Sequence, residues 1–141
     1  MPRLARKANR RGPIGREIDM PQKVLVVDDD EDIVYMLKST LQKAGFEVMT
    51  AQDGDQALKL IKTYVADLMI VDLTMPNMNG WYFSMKVRSD ERFKTTPIII
   101  LSGLLEREAD PEKFEAATFY VPKPFDIFKL MEKVKELLGS H

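Results

Sequence analysis

A small set of polar side chains stands where apolar runs stop, and their types suggest one kind of chemistry. The runs 24–27, 68–71 and 98–101 lead into Asp28 with Asp29, into Asp72, and into Ser102, while the run 119–121 is followed after one proline by Lys123. If the runs are parallel strands, their carboxyl ends share one edge. Carboxylates brought to about 4 Å of one another repel by on the order of 4 kcal/mol per pair at an effective dielectric near 20, so such a site needs a cation. Oxygen donors without His or Cys nearby suit a hard ion such as Mg2+ better than zinc or copper. Lys123 adds a fixed positive charge, Ser102 a hydroxyl donor, and Gly103 leaves room beside it. A carboxylate placed among these groups is equipped to attack phosphorus and to hold the dianion that results. Each residue alone has a plainer role: Asp72 could cap a turn, Asp28 or Asp29 could cap a helix, and a single Ser or Lys at a strand end is commonly a turn or surface residue. It is the convergence of the whole set that favours chemistry.

The elements that must position this set follow from periodicity. The apolar run before Asp72 has the length and β-branched content of a strand buried on both faces. Pro76, Asn77, Asn79 and Gly80 after it cannot continue a central strand and favour a tight reversal. Upstream, Ile33, Met36, Leu37, Leu41 and Ala44 recur at helical spacing, which predicts an amphipathic helix over 32–44 stopped by Gly45. A strand over 46–51 is followed by an Asp53-Gly54 turn and a helix whose apolar face is Ala57, Leu58, Ile61 and Tyr64. A third helix is predicted over 81–88 and a polar loop over 89–96. A short fourth helix starts from Asp110-Pro111 and runs to about Ala117, with Asp110 as N-cap. Asp126 caps the last helix, with Ile127, Leu130, Met131, Val134, Leu137 and Leu138 on one face and Gly139 at its end. Five strands alternating with helices predict an α/β fold, a doubly wound (βα)5 unit with a five-stranded parallel sheet. Ligands and chemistry gather at the strand ends of such sheets, because helices cover both faces.

Composition narrows the classes of function. With 141 residues, 45% hydrophobic and 30% charged, the chain has room for one ordinary core. No apolar run approaches the roughly 18 residues of a membrane span, and the basic start is not followed by the apolar segment of a secretory signal. The absence of cysteine removes disulfides, thiolate catalysis and Cys-ligated metals, and it sets a cytoplasmic expectation. The one histidine is His141. Residues 1–20 hold six of the 21 basic side chains and two of the 22 acidic ones, a local +4 against −5 for the rest. Residues 1–21 are therefore expected to form a basic, disordered N-terminal extension, followed by a folded domain over 22–139. With no aromatic interleaved to stack on bases, nucleic-acid binding is not the expectation for this tail. Met20 as the natural start remains an open alternative.

The ordered set of residues resembles the receiver domain of two-component response regulators, from Lys23 to about Leu138. The resemblance implies a flavodoxin-like sheet with strand order 2-1-3-4-5. It makes Asp72 the phosphoacceptor and Asp28 and Asp29 the acidic pair that positions Mg2+, with Thr74 contributing its backbone carbonyl. Ser102 then bonds the phosphoryl oxygen, Lys123 is the fixed cation, Tyr120 occupies the aromatic switch position, and the bond before Pro124 is cis. The implied donor is a phosphohistidine on a separate histidine kinase or phosphotransfer protein. The implied enzymatic acts are self-phosphorylation and slow autodephosphorylation only.

The implied output is a protein contact, or an output domain missing from this chain, with homodimerisation through the fourth helix, fifth strand and last helix. Leu104, Leu105, Phe114 and Phe119 are the expected apolar contacts on that face. Ala116 stands where receivers commonly have glycine, and the 102–123 segment is slightly short, which bears on the fourth helix and on partner choice. An Asp-nucleophile phosphatase acting on external substrates is the competing reading. Against it, such enzymes place a second acid two residues past the nucleophile, where this chain has Thr74. A nucleotide-binding module on the same fold is a third reading, but aspartates occupy the place of a glycine-rich phosphate loop.

Overall fold

The computed structural model describes residues 20–103 and 116–139. In chain order the elements are β1 (Lys23–Val27), α1 (Glu31–Lys43), β2 (Glu47–Ala51), α2 (Gly54–Leu60), β3 (Leu68–Asp72), α3 (Gly80–Arg88), a 3-10 turn (Glu91–Phe93), β4 (Ile98–Ser102), β5 (Phe119–Pro122) and α4 (Ile127–Leu138). All strands are parallel, in the order β2-β1-β3-β4-β5.

The two-residue period of the strands divides the core. Leu25, Val27, Met69, Val71, Ile98 and Ile100 face α2 and α3, where they meet Ala57, Ile61, Phe83 and Val87. The alternate residues Val24, Val26, Leu68, Ile70, Ile99 and Leu101 face α1 and α4, where they meet Leu37, Leu41, Leu130 and Val134. Because both faces are covered, β3 and β4 are buried at every position, which explains why their sequences are unbroken apolar runs.

Carboxylates and one amide start the helices. The side chains of Asp30, Asp53, Asn79 and Asp126 each accept backbone N–H bonds at an N-terminus. Gly139, at φ 67, ends α4 in the left-handed conformation. Some boundaries differ from the sequence expectation. α2 ends at Leu60 with Ile61 as its C-cap, yet Tyr64 is still buried in the same cluster by way of the turn that follows. The expected fourth helix and the contacts assigned to Leu104, Leu105 and Phe114 lie outside the described residues, as does the tail over residues 1–19.

Arg88, at the end of α3, ties together the amino-terminal side of the sheet. Its Nε donates to the Ala116 carbonyl at 3.0 Å, its Nη1 to the carbonyls of Phe93 at 2.8 Å and of Thr96, and its Nη2 to Thr118 Oγ1 at 3.2 Å. Thr118 Oγ1 also accepts the Ile98 N–H at 3.1 Å, so one guanidinium holds the entry to both β4 and β5. Removing it strands several carbonyls. Arg88→Ala should therefore lower the unfolding free energy by about 2–4 kcal/mol, measured by urea denaturation with an unchanged slope, and Arg88→Lys should recover only part of it.

Candidate functional site

The residues singled out for chemistry come from four different strand ends, and the register brings them together. Val27 is level with both Ala51 and Val71, Asp72 with Leu101, and Ser102 with Pro122. The ladder runs one residue past several strands: Asp28 N–H donates to Ala51 O at 3.1 Å, Leu73 N–H to Leu101 O at 2.8 Å and Lys123 N–H to Ser102 O at 2.7 Å. The side chains at this edge are therefore fixed by sheet geometry, with loops beyond them.

Asp28, Asp72 and Ser102 are buried, at 1%, 5% and 1% exposure, whereas Asp29 is open to solvent. Carboxylate oxygens of Asp28, Asp29 and Asp72 lie within 4.8 Å of one another. The Lys123 ammonium bridges the two buried acids, 3.0 Å from Asp72 Oδ1 and 3.3 Å from Asp28 Oδ2. The other Asp28 oxygen, Oδ1, accepts the Asp30 N–H at 2.9 Å. The three consecutive aspartates thus have three different roles: Asp28 is buried in the site, Asp29 stands at its open rim, and Asp30 caps α1. The peptide between Lys123 and Pro124 is cis.

Burial and charge work against each other here. Burial, aided by the charges of Asp28 and Asp29, pushes the Asp72 carboxyl up to about 6 despite its bond to Lys123. Burial also raises Asp28, against the Asp30 N–H and the Lys123 charge. For Lys123, burial disfavours the ammonium, but the bond to Asp72 and the charges of Asp28 and Asp72 outweigh it and raise its pKa. One ammonium among three carboxylates thus leaves this cluster short of positive charge. Its oxygen-only donors, two of them buried and already grouped, are the donor set that a hard divalent cation requires.

Thr74 lies in the loop after β3 and is exposed. Tyr120, in the middle of β5, is half-buried against the cluster under α2 and α3, with its hydroxyl oxygen screened from solvent. Periodicity gave no sign of two further contributors. Gly80 lets α3 start against the strand end: a Cβ there would stand 2.6 Å from the Asp72 carbonyl oxygen. Asn77 turns the loop at φ 71, a conformation to which asparagine is better suited than most residues. The asparagine and glycine run 77–80 was readable as turn chemistry, but the close approach it permits depends on where α3 packs.

Comparison with known proteins bears on this arrangement. The response regulator receiver domain family matches residues 24–135. The alkaline phosphatase synthesis transcriptional regulatory protein PhoP of Bacillus subtilis is 33% identical over 126 residues, 84% of this chain and 49% of that protein. The transcriptional regulator RpaA of Synechocystis is 31% identical over 117 residues, 82% of this chain and 48% of that one. The chain spans about half the length of these curated relatives. Among solved structures, a response regulator from Chloroflexus aurantiacus superposes with a TM-score of 0.78 at 36% identity, covering 85% of this chain and 99% of that one. TrrA of Thermotoga maritima, solved in complex with Mg2+ and a beryllium fluoride, superposes at 0.74 with 37% identity, covering 82% and 98%. With most of its length matched in sequence and in structure, the chain belongs to the response regulator receiver domain family, whose general function is to accept a phosphoryl group on an aspartate.

Proposed function

We propose that Asp72 is the phosphoacceptor of a receiver domain spanning residues 22–139, charged from a phosphohistidine on a histidine kinase or phosphotransfer protein. The observation that carries this reading is the buried Asp72 carboxylate at the end of β3, held 3.0 Å from the Lys123 ammonium and grouped with Asp28 and Asp29. The described residues contain no histidine, so the donor imidazole comes from outside the described fold.

A carboxylate oxygen of Asp72 attacks phosphorus as the donor's P–N bond breaks, and the imidazole leaves neutral once it has taken a proton. An acyl phosphate results. Lys123, already poised between the two acids, follows the charge onto the phosphoryl oxygens, and Ser102 donates its hydroxyl to one of them. Asp28, Asp29, Asp72 and the Thr74 carbonyl would hold Mg2+, which when bound would supply positive charge for the phosphoryl oxygens. Hydrolysis reverses the bond: water attacks phosphorus, the Asp72 carboxylate leaves, and inorganic phosphate is released. Thr74, at the position where a phosphatase would keep its acid, supplies no proton for a leaving group, so the competing hydrolase reading gains nothing from the site.

Output then follows from a shift of population. As Ser102 moves toward the dianion it vacates space that Tyr120 can occupy, which alters the face beside β5. β5 is an edge strand, and a cleft of about 650 Å3 between it and α4, lined by Phe119, Phe125, Lys129 and Lys133 among others, suits a protein partner or a second copy. Relatives about twice this length make a fused output domain a further candidate for the effector.

Incubation with acetyl phosphate and Mg2+ should add one phosphoryl group by intact-mass measurement. Asp72→Asn or added EDTA should abolish labelling, and labelling that persists in either would remove Asp72 from the role. Lys123→Met should slow labelling by about a hundredfold or more, the scale of losing one preorganised charge at a reacting centre.

Protonation sets a second expectation. Because the folded Asp72 value of about 6 lies above its ordinary 3.8, the folded chain binds more protons than the unfolded chain between those values. Stability of the metal-free protein should therefore fall as pH rises from 4 to 6, and Asp72→Asn should flatten that profile in thermal melts. The same protons oppose a cation. Calorimetric Mg2+ affinity should drop by about tenfold per pH unit below 6, one proton being displaced per ion.

A further inference from the structure

The loop over residues 73–79 follows directly on Asp72 and carries Thr74, and it is held at both of its ends and from the side. Gly80 N–H donates to the Leu73 carbonyl at 2.8 Å and closes the base. Within the loop, Met78 N–H donates to the Pro76 carbonyl at 2.8 Å, and the Met78 side chain is buried in the core cluster under α2 and α3. There it sits on Gly54, the first residue of α2. A Cβ on Gly54 would lie 2.7 Å from Met78 Sδ and 3.0 Å from both its Cβ and its Cγ. Since the Met78 Cβ is among the close atoms, swinging the thioether end aside does not relieve the overlap, and the loop backbone itself would have to move. Gly54 does not take a positive φ, so the need for glycine there is one of space alone.

The other half of the site is referenced to the same stretch of chain. Ala51, three residues before Gly54, accepts the N–H of Asp28 at 3.1 Å, and Asp53 between them caps α2 through the Gln56 N–H at 2.8 Å. The segment 51–54 therefore touches both the acid that ends β1 and the loop that follows the acid ending β3, without contributing a group to the site.

We propose that Met78, seated over Gly54, is a positioning contact for the acceptor loop: through it α2 sets where the Thr74 carbonyl and the Asp72 carboxylate stand relative to Asp28. The inference rests on the reading of Asp72 and Thr74 as parts of a Mg2+-dependent phosphoryl site, and it adds a residue pair that acts through them.

A double-mutant cycle tests it, with Mg2+ affinity by calorimetry and acetyl phosphate labelling rate as readouts and circular dichroism to verify folding. Gly54→Ala should weaken Mg2+ binding and slow labelling by about fivefold or more. In the Met78→Gly background the same substitution should have almost no further effect, because the Cβ, Cγ and Sδ atoms it would strike are gone. Additive effects in the cycle, or a folded Gly54→Ala protein with unchanged Mg2+ affinity, would overturn the inference. Should Gly54→Ala fail to fold alone, restoration of folding by Met78→Gly becomes the readout, and failure to restore it overturns the inference. Failure of the unaltered protein to take Mg2+ or label at Asp72 would overturn the underlying function as well, whereas normal labelling with an additive cycle would overturn the loop contact only.

Discussion

Three carboxylates gathered at one end of a sheet are stable only if something answers their charge, and in the described site that answer is the single ammonium of Lys123, 3.0 and 3.3 Å from two of them. Three negative charges against one positive leave a formal −2, which a divalent cation offsets. The carboxyl groups of Asp72 and Asp28 register the deficit, both being pushed up by burial. Removing charged groups from water costs several kcal/mol each unless their partners make up for it, so the packing around the site must help to hold these acids together.

That packing comes from the central strands. β3 and β4 are buried throughout, and their alternate residues fill two separate cores, so neither strand can slip by a residue without exchanging the contents of both. The positions of Asp72 and Ser102 along the sheet are therefore fixed by apolar contacts far from the chemistry. Backbone bonds past the strand ends carry that register into the first loop residues, which is where Asp28 and Lys123 begin.

The loops then add what the strands cannot. Asp30 shows the economy of the arrangement: its carboxylate starts α1 while its N–H holds one oxygen of Asp28, so the same residue positions a helix and orients an acid. Gly80 and Gly54 act by lacking a side chain, one letting α3 approach the backbone of Asp72 and the other receiving Met78. Arg88 ties the opposite edge, where three carbonyls from two connections converge on its guanidinium. The carboxylate cluster stands at one end of the strands and this structural clamp at the other.

The periodicity of this chain determined the five strands, most of the helices, the parallel sheet and the edge to which the polar strand ends would converge, because a strand buried on both faces must be an apolar run and a capped amphipathic helix must show its spacing. The residue types at those ends also pointed to oxygen-only donors, which suit a hard ion, and to a carboxylate beside a fixed ammonium. What the sequence left open was decided by packing between distant segments. Asp28, Asp29 and Asp30 are chemically alike and adjacent, and only the position of α1 separates a buried acid from an exposed one and from a helix cap. Gly54 and Met78 are 24 residues apart and read locally as a turn glycine and a loop methionine. Their contact exists because α2 and α3 lie against the same face of the sheet, and no local pattern encodes which helix a loop will touch.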